Sequence, residues 1–167
     1  RARLDPVKEK FIVSGGPPYL QERLEELYQE AKAWGLPMDR VEIRPGSHKF
    51  WDTYREIDLI LDTFPYPGGF MTALALYFGV PVLTFKGYRY GARFGASLLK
   101  AAGREAWIAG SMEEYAKLAV AMGRESEALR QARERLFEEV EGSALLDTAA
   151  YVESVEKKYL ELWQDGK

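Results

Sequence analysis

Short, nearly continuous apolar runs alternate along this chain with longer stretches in which apolar residues return every three or four positions. That rhythm is left by βα units, in which strands buried on both faces are joined by helices carrying one apolar stripe. It predicts strands over 10–13, 41–43, 59–61, 80–85 and 106–108, forming a parallel sheet with all carboxyl ends on one side.

The helices follow from their start and stop signals. Pro17-Pro18 opens one whose buried stripe is Leu20, Leu24, Leu27, Ala31 and Trp34, and Gly35 before Leu36-Pro37 closes it. Two more are predicted over 70–78 and 92–102. After the fifth strand the pattern is wholly helical. Ser111-Met112-Glu113-Glu114 forms a capping box and Gly123 ends that helix; a second carries Leu129, Ala132, Leu136 and Val140 on one stripe. Gly142-Ser143 breaks it, and Asp147 caps a third with Tyr151, Val155, Tyr159 and Leu162 on one face. The three helices, 111–167, are expected to brace the sheet as the helical tail of a single α/β, Rossmann-like domain spanning 1–167. No internal repeat of solenoid length interrupts it.

Composition narrows the chemistry. At 167 residues and 47% apolar content the chain can bury one substantial core. Its 23 basic residues against 26 acidic ones, with no dense basic block, argue against a nucleic-acid partner. With no cysteine and one histidine, disulfides, a thiolate metal site and a cysteine nucleophile are excluded, and a zinc centre has almost no ligands to draw on. Backbone amides, hydroxyls, carboxylates and cations remain, and no metal or cofactor is expected. No apolar run approaches the roughly 18 residues of a membrane span, and no secretory leader pattern is visible; a cytoplasmic location is the default. The chain opens on Arg1 with a polar stretch that reads as the end of a helix or linker, so a piece of a longer polypeptide is expected.

Ligands of open α/β sheets sit at the carboxyl ends of strands, which directs attention to three loops. The first, 62–69, is stiffened by prolines and delivers Gly68-Gly69 to a helix start, where the free amides of Gly69, Phe70 and Met71 and the hydroxyl of Thr72 suit a phosphate. The same glycines would equally serve a tight turn alone. The second holds Ser47, His48 and Lys49: Ser47 fits a helix N-cap, and His48 is either solvated or turned to a diphosphate or sugar hydroxyl. The third, 86–93, is aromatic and basic. Arg93 at a helix start opposes the dipole, which points to an external anion, or else it packs at the surface while Tyr88 and Tyr90 cover apolar area. Gly15-Gly16 before Pro17 reads as a close backbone approach or a turn.

An ordered set of segments resembles the C-terminal catalytic half of the O-linked N-acetylglucosamine transferase family, with its bacterial and SPINDLY-like members. It comprises residues 57–66, Gly68-Gly69, residues 79–84, Arg93 with 95–99, residues 143–147, and Glu156, Tyr159 and Trp163. The resemblance implies one half of a GT-B architecture, a UDP-sugar donor, protein acceptors, a separate N-terminal domain often preceded by tetratricopeptide repeats, and no metal at the diphosphate. It makes Gly68, Gly69, Phe70, Met71, Thr72, Arg93 and His48 the candidate donor-binding residues and leaves the catalytic residue unassigned. Such a half is expected to be inactive alone.

Several positions depart from that family. Phe70-Met71-Thr72 stand where a run of threonines is usual, and Leu74 where an acidic residue holds the ribose. The family's histidine falls at Phe50, two positions from His48, and its nucleotide-binding lysine lies upstream of the matched stretch. Each lost polar contact costs on the order of 1–3 kcal/mol. Two functions therefore stay open: a nucleotide-sugar-binding domain of a glycosyltransferase, favoured by Gly68-Gly69 and Arg93, and a degenerate domain serving as a scaffold or partner-binding module, favoured by Phe70, Met71 and Leu74. A sugar epimerase of related fold lacks identifiable carboxylate catalysts.

Overall fold

The computed structural model describes residues 11–15, 21–45 and 50–166. All five strands form: β1 (Phe11–Gly15), β2 (Val41–Pro45), β3 (Ile60–Leu61), β4 (Val82–Phe85) and β5 (Ile108–Ala109). Every pairing is parallel, as the rhythm requires. One sheet is expected, however, and among the described residues the strands pair as β1–β2 and as a three-stranded β3–β4–β5 sheet with β4 central. Strand β3 is limited to two residues, and the chain before it is tied to α6. Arg133 reaches back to donate to the carbonyls of Tyr54, at 2.8 Å, and Ile57. Strand β4 starts two residues late because Pro81 has no amide to give; its carbonyl accepts from Ile60 at 2.9 Å. The fifth strand is displaced by a 3₁₀ turn over Glu105–Trp107.

Among the described residues seven α-helices connect and flank these strands: α1 (Gln21–Ala33), α2 (Phe50–Glu56), α3 (Phe70–Tyr77), α4 (Phe94–Ala101), α5 (Met112–Arg124), α6 (Ser126–Glu141) and α7 (Thr148–Asp165). The core lies where β4 meets α3, α4 and α6: Leu76, Val80, Val82, Leu99, Leu136 and Val140 are completely buried, with Tyr54 of α2 against them. Helix α6 buries the stripe the sequence predicts.

Three helix expectations need correction. Trp34 is 72% exposed, because α1 ends at Ala33 and the chain unwinds into Gly35 (φ +75°), taking residue 34 off the stripe that buries Ala31. Gly123 does not stop α5, which continues through Arg124 and ends at Glu125. Helix α7 does not brace the sheet: none of its side chains is fully buried, and Tyr151, Tyr159, Leu162 and Trp163 are each more than half exposed. The openings at 17–18 and the glycine at 16 lie outside the described residues.

Candidate functional site

Parallel strands β3 and β4 present their carboxyl ends side by side, and each is followed by a loop that leads into a helix amino end. The loop after β3 begins at Asp62, which is 7% exposed. Oδ1 of its carboxylate accepts from the amide of Gly68 at 2.7 Å and that of Thr63 at 3.1 Å, and Oδ2 accepts from the Thr84 hydroxyl at 2.8 Å. The loop is pinned further by the Thr63 hydroxyl, which donates to the Tyr66 carbonyl, and by Tyr115 of α5, whose hydroxyl donates to the Asp62 carbonyl at 2.8 Å. Burial first, then the charge of Asp62, pushes the Tyr115 phenol up to about 12.

The turn delivers Gly69 as the residue before α3, with φ +51° and ψ −109°. A Cβ there would meet nothing within 4 Å, so the open side of this residue faces free space. The amides of Gly69 and Phe70 find no acceptor among the described residues, whereas that of Met71 is taken by the Gly68 carbonyl at 2.9 Å. Two of the three amides expected to be free are so. Thr72 is 2% exposed and packs under Gly68, where an added Cβ would come within 2.9 Å of its Oγ1. Phe70 is 73% exposed and Met71 42%, and Leu74 turns inward to pack against the core.

The second loop brings Arg93. It closes a 3₁₀ turn, Gly91–Arg93, and precedes α4 without making a side-chain cap. Its side chain is exposed and makes no ion pair with another described residue. Neither α3 nor α4 has an acidic residue in its first turn. Residues 63–85 contain no charged side chain, and the only ones in 86–104 are Lys86, Arg89, Arg93, Lys100 and Arg104. The two helix amino ends, with Lys86, Arg89 and Arg93 in the stretch that leads from β4 to α4, therefore make an environment suited to an anion. Tyr88 and Tyr90 are 81% and 76% exposed, as is Tyr66 at 83%, and Tyr90 still lays its ring edge-on to that of Phe94, 5.4 Å between centroids. Arg89 lies over the Tyr88 ring, 5.5 Å from its centroid.

The structure thus places Gly68, Gly69, Phe70, Met71 and Thr72 at one helix start and Arg93 at the other. His48 lies outside the described residues, as do Ser47 and Lys49. Asp62, whose carboxylate ties Gly68 to Thr84, was not singled out by sequence reasoning. Its signal was an acid ending an otherwise apolar strand, a position where a charge is seldom buried without dedicated partners. Among the described residues no group of three or more acidic or histidine side chains is placed to hold a metal ion, and no helix is long and apolar enough to cross a membrane.

Comparison with known proteins gives a consistent result. Residues 21–155 match the family described as glycosyl transferase family 41. A probable UDP-N-acetylglucosamine--peptide N-acetylglucosaminyltransferase SPINDLY of Petunia hybrida is 34% identical over 133 residues, covering 78% of this chain and 14% of that protein. The SPINDLY protein of Arabidopsis thaliana is 32% identical over 163 residues, 96% of this chain and 16% of its own length. Among solved structures, a K341M mutant of the Thermobaculum terrenum O-GlcNAc transferase superposes with a TM-score of 0.84 at 27% identity, covering 93% of this chain and 30% of that one. The chain therefore spans about a sixth or less of these curated relatives, and its α/β fold is that of one half of a GT-B transferase.

Proposed function

The chain belongs to glycosyl transferase family 41, and from that premise we propose that it is the nucleotide-sugar-binding part of an enzyme that transfers N-acetylglucosamine from UDP-GlcNAc to protein side chains. The supporting observation is the pair of amides at Gly69 and Phe70, unbonded among the described residues and opening α3, together with the exposed Arg93 before α4, which makes no ion pair among them. As the bond between the anomeric carbon and the diphosphate breaks, negative charge grows on the leaving UDP. Fixed backbone donors, the amino ends of α3 and α4 and Arg93 would stabilise it without reorganising, the part a metal ion plays elsewhere. The acceptor hydroxyl comes from the protein substrate, and the base that takes its proton belongs to another part of the enzyme. An N-terminal domain of the same protein completes the site in this reading, and a cytoplasmic setting goes with protein acceptors.

Phe70, Met71 and Leu74 favour a second reading. With Phe70 and Met71 turned to solvent, Thr72 buried and Leu74 packed into the core, no side chain of this helix start offers a hydroxyl or carboxylate to the nucleotide. A domain of this kind that has lost its ligand would act as a scaffold. Calorimetric titration of the intact protein with UDP, UDP-GlcNAc and a GDP-sugar separates the two. Saturable binding selective for the uridine compounds supports the transferase; no heat at millimolar UDP turns the reading to the scaffold.

A further inference from the structure

Asp62 lies on the floor of the site as a buried carboxylate, and among the described residues no basic side chain pairs with it. Neutral donors alone meet its charge: the amides of Gly68 and Thr63 on Oδ1 and the hydroxyl of Thr84 on Oδ2. Hydrogen bonds to an ionised acceptor are about twice as strong as those between neutral groups, so this carboxylate holds its partners firmly. It also touches both helix starts. A Cβ on Gly68 would stand 3.4 Å from Oδ1, and one on Gly95, in the first turn of α4, would stand 2.5 Å from Oδ2 and 2.4 Å from the Thr84 Oγ1.

We propose that Asp62 is a positioning residue. Through the Gly68 amide it fixes the turn that aims the amides of Gly69 and Phe70. Through Thr84 it sets the surface on which Gly95 rests, and so the place from which Arg93 reaches the same ligand. This rests on reading the site as one for a nucleoside diphosphate. Asp62 itself does not bind that ligand, since its oxygens are occupied and its charge has the ligand's sign.

The two effects of the carboxylate separate on substitution. Asp62→Asn removes the charge but keeps an acceptor for Gly68 and Thr63 and offers an amide hydrogen to Thr84, whose hydroxyl can accept. Asp62→Ala removes all three bonds. Thr84→Val keeps the shape and removes one. In the intact protein, UDP affinity is measured by calorimetry for all three variants alongside thermal melting and hydrogen exchange at residues 68–71. Asp62→Ala is expected to weaken UDP binding tenfold or more and to speed exchange at the Gly68 amide. Thr84→Val should weaken it several-fold, and Asp62→Asn should stay within about threefold of the parent. A cooperatively melting Asp62→Ala protein with parental affinity overturns the proposal, as does an Asp62→Asn protein that binds as poorly as the alanine variant. Should Asp62→Ala not fold, unchanged affinity in Thr84→Val overturns it just as well. No UDP binding by the parent refutes the nucleotide reading itself and, with it, any positioning role.

Discussion

Gly69 holds a backbone conformation that residues with a Cβ rarely adopt, and the space a Cβ would enter is empty of protein. Gly69→Val would thus act in two ways: backbone strain of about 1–3 kcal/mol, and a side chain placed where a diphosphate would approach the amides. It should abolish UDP binding while lowering stability only modestly, checked by calorimetry beside a thermal melt. Arg93→Ala removes an exposed cation that supports no described ion pair, so stability should hold while UDP affinity falls several-fold at low salt. The deficit should shrink as salt rises, since charges near an exposed anion are screened over about 10 Å at 0.1 M. Tyr115 gives a test by pH. Its folded-state phenol titrates near 12, above the ordinary value of about 10, so its contribution is complete below pH 10 and is lost as pH rises towards 12. Tyr115→Phe should cost about 1 kcal/mol at neutral pH for the bond to the Asp62 carbonyl, and the gap between the two proteins should close across that range in denaturant titrations. At this scale the sequence was legible where backbone chemistry acts: the glycines and Arg93 were found because turns and dipoles depend on local residue types. Asp62 was not, because its donors come from positions 63, 68 and 84, and that convergence exists only after folding.

Helix α5 illustrates how well end signals read. The Ser111 hydroxyl accepts from the Glu114 amide at 3.1 Å, and the Glu114 carboxylate returns to the chain at 2.7 Å, though on the amide of Gly110, one residue earlier than a capping box requires. Ser111→Ala should therefore cost about 1 kcal/mol, measurable by chemical denaturation. Helix α6 was equally plain, since its stripe faces α3 and the core; Leu136→Ala should cost about 2–5 kcal/mol in the same assay, the range for a fully buried leucine. Strands β3 and β4 were found for the same reason, a continuous apolar run with both neighbours helical. Helix α7 was misjudged from a pattern of the same quality. Its Tyr151, Val155, Tyr159 and Leu162 do share a face, but periodicity reports only that a face is apolar and is silent on what meets it. The division of the strands into two groups was illegible on similar grounds, because an apolar run does not say which strand it pairs with.

Taken whole, the proposed function assigns this part of the protein the donors for a leaving group and leaves the activation of the acceptor to another part. This chain alone is therefore expected to show no turnover of UDP-GlcNAc onto a peptide, and product formation in a radiolabel-transfer assay would count against a site divided between two halves. The contact at Gly95 reaches beyond binding to the way this sequence is free to drift. Asp62, Thr84 and Gly95 lie on a strand end, a second strand and a helix, yet a single added carbon at 95 would collide with side-chain oxygens from both of the others. A larger acid at 62 would press on the same spot. The three positions are consequently epistatic. In a combinatorial library, alanine at 95 should survive only in company with smaller residues at both 62 and 84, so that these distant stretches of chain change together or not at all.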